Sequence, residues 1–476
     1  MYFQCEVILS TEPTVFDLAV IGSGPGGYVS AIKASQLGLK VALVEKYPRL
    51  GGTCLHWGCI PTKTLLVSAY NYDKAKHASE YGITCRDLAV DLRLVKARKD
   101  KIIKKLSMGI DFLMKKNKIT VFHGKASFCA PEVIRIQGES FAEIRARKTI
   151  IATGSEAKLI PGIELDGRAI LGSREILELD NVPKSMLVVG AGTVGIEFAS
   201  IFSSFDCDVT VIEMLPRILP QEDPEISQEM RKLLEKRRIK VWTDARLEEM
   251  KVVDDNVHSV VSISGAETKK LVTEKALIAI GRKPVSEDIG LEKLGVATSG
   301  GYILVDAHMQ TNLANIFAIG DVVPTKGLAH VASHEGIHAV EYIGGQRTVP
   351  INYELVPNCT FSQPEVASVG LTEPAAKERG FDLVTSKFPF AAVSKASILG
   401  ENEGFVKLVS ERKYKQILGV HMVGPCVTEL IMEGAALIGL EATAAEVSHF
   451  MHPHPTVSEG IMEAAHALYS GVAIHI

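Results

Sequence analysis

Apolar runs that end on glycine recur along the chain, and their spacing predicts buried parallel strands feeding helices. Asp17-Leu-Ala-Val-Ile-Gly22 runs into Ser-Gly24-Pro-Gly-Gly27 and then a helix-like stretch, and Met186-Leu-Val-Val-Gly190-Ala-Gly192-Thr-Val-Gly195 repeats the plan. In both, the next apolar strand closes on an acid, Val41-Ala-Leu-Val-Glu45 and Val209-Thr-Val-Ile-Glu213, and each glutamate stands 23 residues after its first glycine. Three further apolar strands end in glycine plus a polar residue: Lys148-Thr-Ile-Ile-Ala-Thr153-Gly154, Ala276-Leu-Ile-Ala-Ile-Gly281-Arg282 and Asn315-Ile-Phe-Ala-Ile-Gly-Asp321. Such ends are where backbone meets a ligand. From about Leu355 the pattern changes to short spaced strands followed by Ala-rich helices, which predicts a separate α+β domain. Between Arg98 and Lys118 a lysine-rich run carries Ile102, Ile103, Leu106, Ile110, Leu113 and Met114 at helical spacing, an amphipathic helix with a solvated basic face.

The repeated glycine motif has a physical reading. The first glycine makes a tight turn, the second lets backbone approach a pyrophosphate, and the third packs helix on strand. The helix N-terminus then faces the phosphates. The glutamate 23 residues on accepts hydrogen bonds from an adenosine ribose, and at Glu213 it repels a 2′-phosphate, which favours NAD over NADP. A glycine-rich turn with only a structural role explains neither the acid nor the repetition.

With 476 residues the chain has room for roughly three domains at about 150 residues each. A net charge of −4 and a pI near 6.4 offer nothing to neutralise phosphates, so no nucleic-acid partner is expected. The apolar runs fall short of the ~20 residues of a membrane span. Residues 1 to 16 contain Glu6 and Glu12 and no Lys or Arg, unlike a signal or transit peptide, and a cytoplasmic location is expected.

The eight cysteines, among them Cys5, are too dispersed for a disulfide-stapled fold, and only Cys54 and Cys59 are close neighbours. Such a pair reads as catalytic or metal-binding. Zinc requires two more ligands, and no second cysteine pair exists. Residues five apart on a regular helix are displaced by about 7.5 Å, beyond the ~7 Å reach of a disulfide, so this segment must bend. Gly58 and Pro61 fit a bend followed by a helix start. His334-Glu335-Gly336-Ile337-His338 matches a zinc-protease pattern but has a glycine inside the required helix and trails Asp321 directly. His449, His452, His454 and His466 are broken by prolines and form no regular face. No metal site is expected.

Gly52-Thr53-Cys54-x4-Cys59-Ile-Pro-x-Lys63 after a dinucleotide motif, with His454-Pro-Thr-x-x-Glu459 far downstream, resembles the pyridine nucleotide-disulfide oxidoreductase family over essentially the whole chain. The resemblance implies two Rossmann-like dinucleotide-binding domains, for FAD and NAD, and a C-terminal α+β dimerisation domain. The expected boundaries are 1–157 and 288–354 for the two parts of the FAD domain, 158–287 for the NAD domain and 355–476 for the interface domain.

The resemblance makes Cys54 the thiol that exchanges with substrate and Cys59 the thiolate beside the flavin, favoured by a helix start and local positive charge. It makes Lys63 a lysine near the flavin, paired with Glu197. It assigns Gly22, Gly24, Gly27, Glu45, Lys46, Gly52, Thr53, Gly124, Thr153, Gly154, Asp321 and Ala329 to FAD. Gly190, Gly192, Gly195, Glu197, Glu213, Gly281 and Arg282 fall on the NAD side. His454 becomes the base, since imidazole titrates near the operating pH, and Glu459 fixes its tautomer.

Thr210-Val-Ile-Glu213-Met-Leu-Pro-Arg-Ile-Leu-Pro220 is similar to the branch that oxidises dihydrolipoamide with NAD+. That branch implies an obligate homodimer, with the His454 segment reaching the second subunit's cysteine pair. It also implies lipoyl domains of 2-oxoacid dehydrogenase or glycine-cleavage complexes, on other chains, as partners. Two other readings stand beside it: a related NAD(P)H-linked reductase of another disulfide or oxidant, and a non-catalytic FAD-binding scaffold. The cysteine loop departs from the usual family sequence at His56, Trp57 and Thr62.

Overall fold

Strand Val15–Ile21, buried from Leu18 onward, runs straight into the first glycine turn, and its neighbours explain why. In the computed structural model, which describes residues 15–138, 141–265 and 267–475, the chain falls into two compact units. The first comprises residues up to 56, 102–156 and 282–351; the second comprises 57–101, 157–281 and 352–476. Cys5 and all but the last two residues of the 1–16 stretch lie outside the described residues.

In the first unit Val15–Ile21 lies parallel between Val41–Glu45 and Phe141–Ile151, with Thr120–His123 beyond the former. Phe141–Ile151 changes partners along its length. Its start pairs antiparallel with Val133–Gln137, and its end pairs parallel with Val15–Ile21 and with Ile316–Ala318. Helix Pro25–Gln36 packs on helix Ala329–Ile343. The approach is closest at Gly336, where a Cβ would stand 2.3 Å from Ser30 Oγ and 2.9 Å from the Gly26 carbonyl oxygen. The glycine inside the His334–His338 pattern is therefore a helix-contact residue. Buried Glu335 accepts the Gly320 amide at 2.6 Å, and His338 Nε2 bonds the Ala307 carbonyl at 3.0 Å.

The second unit holds a parallel sheet in the order Lys240–Trp242, Asp208–Ile212, Ser185–Val189, Lys275–Ile278, Ile170–Leu171, and an antiparallel meander over Ala245–Val253, Asn256–Ile263 and Glu267–Thr273. A five-stranded antiparallel sheet built from residues 358–424 carries the helices Val427–Gly439 and Glu459–Ser470. Residues 57–101, expected with the FAD segment, group here for a packing reason. Leu65, Leu66 and Ala69 of helix Cys59–Lys76 share one core with Ile196, Phe198 and Phe202 of helix Thr193–Ser204 and with Val366 and Val423.

The lysine-rich run forms helix Leu92–Lys116, with Ile103, Ile110 and Met114 buried. Leu106, expected on the buried face, is 42 % exposed. At about 100° per residue it lies roughly 60° off the face centred on Ile103. Lys99 takes the buried place and donates to the Leu177 carbonyl and to Glu178. Among the described residues no helix is long and apolar enough to cross a membrane.

One buried cation ties the second unit's segments together. Lys407, 1 % exposed, pairs with Asp223 at 3.0 Å, Glu225 at 2.7 Å and Glu373 at 2.8 Å. Asp223 also caps helix Pro224–Lys236 and accepts the Glu373 amide. Across the strand pair from Lys407 sits His421, whose Nε2 meets the Leu371 carbonyl at 2.9 Å while its buried Nδ1 has no partner among the described residues. Burial pushes His421 below its ordinary value, so it stays neutral beside the lysine. Burial works against the ionised forms of Asp223 and Glu225, yet hydrogen bonds to lysine hold both carboxyls low, and Glu373 is lowered chiefly by its bonds to Lys377 and Lys407.

Groups with depressed values stabilise the fold above their unfolded pKa and lose that contribution as pH falls. Lys407→Met is therefore expected to cost about 3–5 kcal/mol by leaving buried carboxylates unpaired. The wild type should lose stability on acidification from about pH 6.5, where the unfolded chain's histidine takes up a proton that buried His421 refuses, and again below about pH 4. Urea unfolding at pH 7, 5.5 and 4 measures both, and a variant as stable as wild type at pH 7 would contradict the assignment.

Candidate active site

The two glycine motifs are built alike down to individual atoms. Gly22 has φ +102°, and a Cβ there would lie 2.3 Å from the Ala152 carbonyl oxygen; Gly190 has φ +104°, and its Cβ would lie 2.5 Å from the Ala279 carbonyl oxygen. Only glycine accepts that close approach. At the third glycines, Gly27 and Gly195, a Cβ would fall 1.9 Å from the carbonyl oxygens of Gly22 and Gly190. The middle glycines, Gly24 and Gly192, meet nothing within 4 Å and precede helices Pro25–Gln36 and Thr193–Ser204. Open space at a helix N-terminus is where a pyrophosphate fits, so both motifs suit a dinucleotide.

The glutamates repeat the pattern. Glu45 accepts the Ser23 amide at 2.9 Å, the Ser23 hydroxyl at 2.5 Å and the Tyr47 amide at 2.9 Å. Glu213 accepts the Ala191 amide at 2.8 Å and the Leu215 amide at 2.9 Å. In each sheet the acid is tied to the residue after the first glycine and to the amide two residues beyond itself. The amides 23/191 and 47/215 were readable only as equal spacing.

Other expected residues of the first unit gather around this turn. Gly124, at φ +155°, donates its amide to the Glu45 carbonyl at 2.8 Å, and a Cβ on Gly52 would stand 2.6 Å from Gly24 Cα. Thr53 lies on helix Gly52–His56, and Ala329 begins helix Ala329–Ile343. Exposed Lys46 turns over the Tyr47 ring. Thr153 donates to the Val285 carbonyl at 2.5 Å, and Gly154 has φ +71°.

Asp321 accepts the Ser155 hydroxyl at 2.5 Å, and Arg282 Nε donates to that same hydroxyl at 2.7 Å while its Nη2 meets the Ser155 carbonyl. Arg282, expected on the NAD side, thus turns to Ser155 and Asp321 of the first unit. The reason is local: Gly281, at φ +108°, ends one unit's segment and Arg282 opens the other's.

The cysteine segment is broken as its spacing requires. Cys54 sits on helix Gly52–His56, Cys59 opens helix Cys59–Lys76, and Gly58 between them has φ −130° and ψ −114°. Both cysteines are half-buried. The three departures from the usual family loop each have a partner. His56 Nε2 meets the Leu50 carbonyl at 2.9 Å, Thr62 donates its hydroxyl to the Gly58 carbonyl at 2.7 Å, and Arg174 lies 4.0 Å above the Trp57 ring. Tyr28 is raised first by burial and then by the charge of Cys54.

One turn along the second helix, Lys63 binds both oxygens of Glu197 at 2.8 and 2.9 Å and lies over the Phe361 ring. Glu197 also accepts the Phe361 amide at 3.0 Å, a contact for which the sequence held no signal.

The His–Glu pair is formed. His454 Nδ1 lies 2.9 Å from Glu459 Oε1, and Glu459 Oε2 accepts the Thr456 amide at 2.9 Å. Burial opposes ionisation of Glu459, but the His454 hydrogen bond and the Thr456 amide hold it below its ordinary value. Nδ1 is thereby committed, which orients the ring. His452 has a different partner, Glu433 at 2.8 Å, whose hydrogen bond raises it.

These features match known proteins end to end. The family model described as pyridine nucleotide-disulphide oxidoreductase matches residues 16–336, and that of the family's dimerisation domain matches residues 356–465. The chain is similar to the dihydrolipoyl dehydrogenase of Bacillus subtilis, at 45 % identity over 97 % of this chain and 99 % of that one, and to that of Rhizobium etli, at 43 % over 96 % and 98 %. Among solved structures it resembles LpdA from Mycobacterium tuberculosis, with a TM-score of 0.88 and 26 % identity over 95 % of this chain and 99 % of that one. With both parts of the family matched in order and the glycine, cysteine and histidine elements all present, the chain belongs to the pyridine nucleotide-disulphide oxidoreductase family.

Proposed function

We propose that the protein oxidises protein-bound dihydrolipoamide to lipoamide and reduces NAD+ to NADH, working as a cytoplasmic homodimer that serves lipoyl domains of 2-oxoacid dehydrogenase or glycine-cleavage complexes. The observation that carries this reading is the hydrogen-bonded His454–Glu459 pair, in a chain that also has the cysteine pair and both dinucleotide cradles. The near full-length likeness to dihydrolipoyl dehydrogenases supports the choice of substrate.

In this reading His454, held through Nδ1 by Glu459, takes a proton from one substrate thiol at Nε2. In the oxidised protein, with Cys54 and Cys59 joined as a disulfide, the thiolate attacks Cys54 Sγ, the Cys54–Cys59 bond breaks and Cys59 leaves as thiolate. The second substrate thiol then closes the lipoamide disulfide and releases Cys54. Oxidising the dithiol yields two electrons and two protons; NAD+ takes both electrons and one proton, and the other proton goes to water. FAD, when bound at the Gly22–Gly27 cradle, supplies the two-electron carrier between the reduced cysteine pair and NAD+. Lys63, held in place by Glu197, offers a positioned ammonium one turn from Cys59, and such charge favours a thiolate. Glu213 excludes a 2′-phosphate at the second cradle.

The test is an anaerobic titration of the FAD-loaded protein with dihydrolipoamide and then NAD+, following flavin absorbance. Stoichiometric bleaching and recovery are expected, and no bleaching by dihydrolipoamide would remove the substrate assignment. His454→Gln should lower kcat for dihydrolipoamide by roughly 10²–10⁴-fold, while NADH-driven reduction of an artificial quinone, which needs no thiol proton transfer, changes little.

Gly195→Ala should weaken NAD+ binding about tenfold or more, the equivalent of ~1–3 kcal/mol of backbone strain. Flavin content should be unchanged, because the first cradle is untouched. Equilibrium dialysis with NAD+ beside flavin absorbance of the same sample reads both effects.

A further inference from the structure

Asp321 lies in the short helical turn Gly320–Val322, just beyond strand Ile316–Ala318. Its backbone is fixed from behind, where buried Glu335 accepts the Gly320 amide at 2.6 Å. Its side chain is held at one oxygen only. Oδ2 accepts the Ser155 hydroxyl at 2.5 Å, whereas Oδ1 has no hydrogen-bond partner among the described residues. A Cβ on Gly327 would come within 3.5 Å of Oδ1, so glycine leaves that oxygen open.

Ser155 has one proton to give, and Arg282 decides where it goes. Arg282 Nε donates to the Ser155 hydroxyl oxygen at 2.7 Å, and Nη2 donates to the Ser155 carbonyl at 2.5 Å. A guanidinium accepts nothing, so the hydroxyl hydrogen cannot point back at Arg282 and turns to Asp321. The chain runs one way, from guanidinium to hydroxyl to carboxylate, and the charge at each end strengthens the bond beside it. Arg282 Nε stays 3.8 Å from Asp321 Oδ2, too far for a direct hydrogen bond, so the serine hydroxyl carries the link. The backbone on either side is braced: the Val285 amide donates to the Gly154 carbonyl at 2.9 Å, and the Thr153 hydroxyl donates to the Val285 carbonyl at 2.5 Å. All of these residues belong to the first unit.

An open carboxylate oxygen calls for a hydroxyl donor. FAD carries such donors on its adenosine ribose and its ribityl chain, and Glu45 is the residue expected at the ribose. We propose that Arg282 and Ser155 are positioning residues for FAD: they saturate Asp321 Oδ2 and thereby turn Oδ1 to a ribityl hydroxyl. The proposal rests on the reading of Asp321 as an FAD contact. It gives to the flavin an arginine whose place in the sequence puts it behind the second nucleotide motif.

The rate at which FAD leaves the holoprotein is read as the rise of free-flavin fluorescence after dilution. Asp321→Ala, Ser155→Ala and Arg282→Gln should each speed release about tenfold, as expected for loss of a hydrogen bond to a charged group. Ser155→Thr keeps the hydroxyl and should release FAD at the wild-type rate. In the Asp321→Ala background, Ser155→Ala should add little, because its effect passes through that carboxylate. Equilibrium dialysis of Arg282→Gln should give wild-type NAD+ binding.

Fast release from Asp321→Ala beside wild-type release from Ser155→Ala would overturn the proposal and leave the reading of Asp321 standing. Wild-type release from Asp321→Ala would overturn both. Equal losses in the alanine and threonine variants of Ser155, or full additivity in the double variant, would mean a general loosening of the segment and also overturn it. Weakened NAD+ binding with unchanged FAD release in Arg282→Gln would return the arginine to the other cofactor. If Arg282→Gln does not fold, the serine variants, each lacking or keeping a single oxygen, decide alone.

Discussion

In each nucleotide-type sheet a carbonyl oxygen from the neighbouring strand, that of Ala152 or Ala279, occupies the space a side chain would need at the first glycine. Everything around the two cradles follows from that approach. The strand can turn at once into a helix, the helix N-terminus opens onto free space at Gly24 and Gly192, and the third glycine can sit against the first glycine's own carbonyl. The glutamates then close each turn from the far side by gripping amides at equivalent positions, Ser23 and Tyr47 in one sheet, Ala191 and Leu215 in the other. The duplicated sequence motif is the trace of a duplicated set of steric and hydrogen-bond constraints.

This explains what could be read from the chain alone. The strand–glycine–helix turns, Glu45, Glu213 and the broken helix between Cys54 and Cys59 depend on neighbours in sequence, so spacing reveals them. Lys407 reads as an ordinary strand lysine, because its partners Asp223, Glu225 and Glu373 come from distant segments. Arg174 over Trp57 and the Phe361 amide on Glu197 are likewise long-range contacts without a local pattern. The contacts of Arg282 with Ser155 were equally invisible, because its sequence context attaches it to the strand before it while Ser155 lies 127 residues away. Leu106 was misplaced because a helical stripe tells which residues share a face but not how wide the covered part is.

The cysteine loop illustrates how unusual residues become ordinary once their contacts are known. His56 bonds the Leu50 carbonyl, Thr62 bonds the carbonyl of Gly58 at the break, and Trp57 is covered by a guanidinium. A cation over an indole contributes about 0.5–2 kcal/mol, enough to favour one orientation of the Trp57 ring. The departures from the usual family loop thus restrain the segment rather than loosen it.

Gly336 matters beyond its own helix. Because Ser30 and the Gly26 carbonyl crowd the point where its side chain would begin, helix Pro25–Gln36 has almost no freedom to slide or roll on its neighbour. The direction in which the N-terminus of that helix points is therefore set by contacts at its flank, by a fit as tight as a lattice plane.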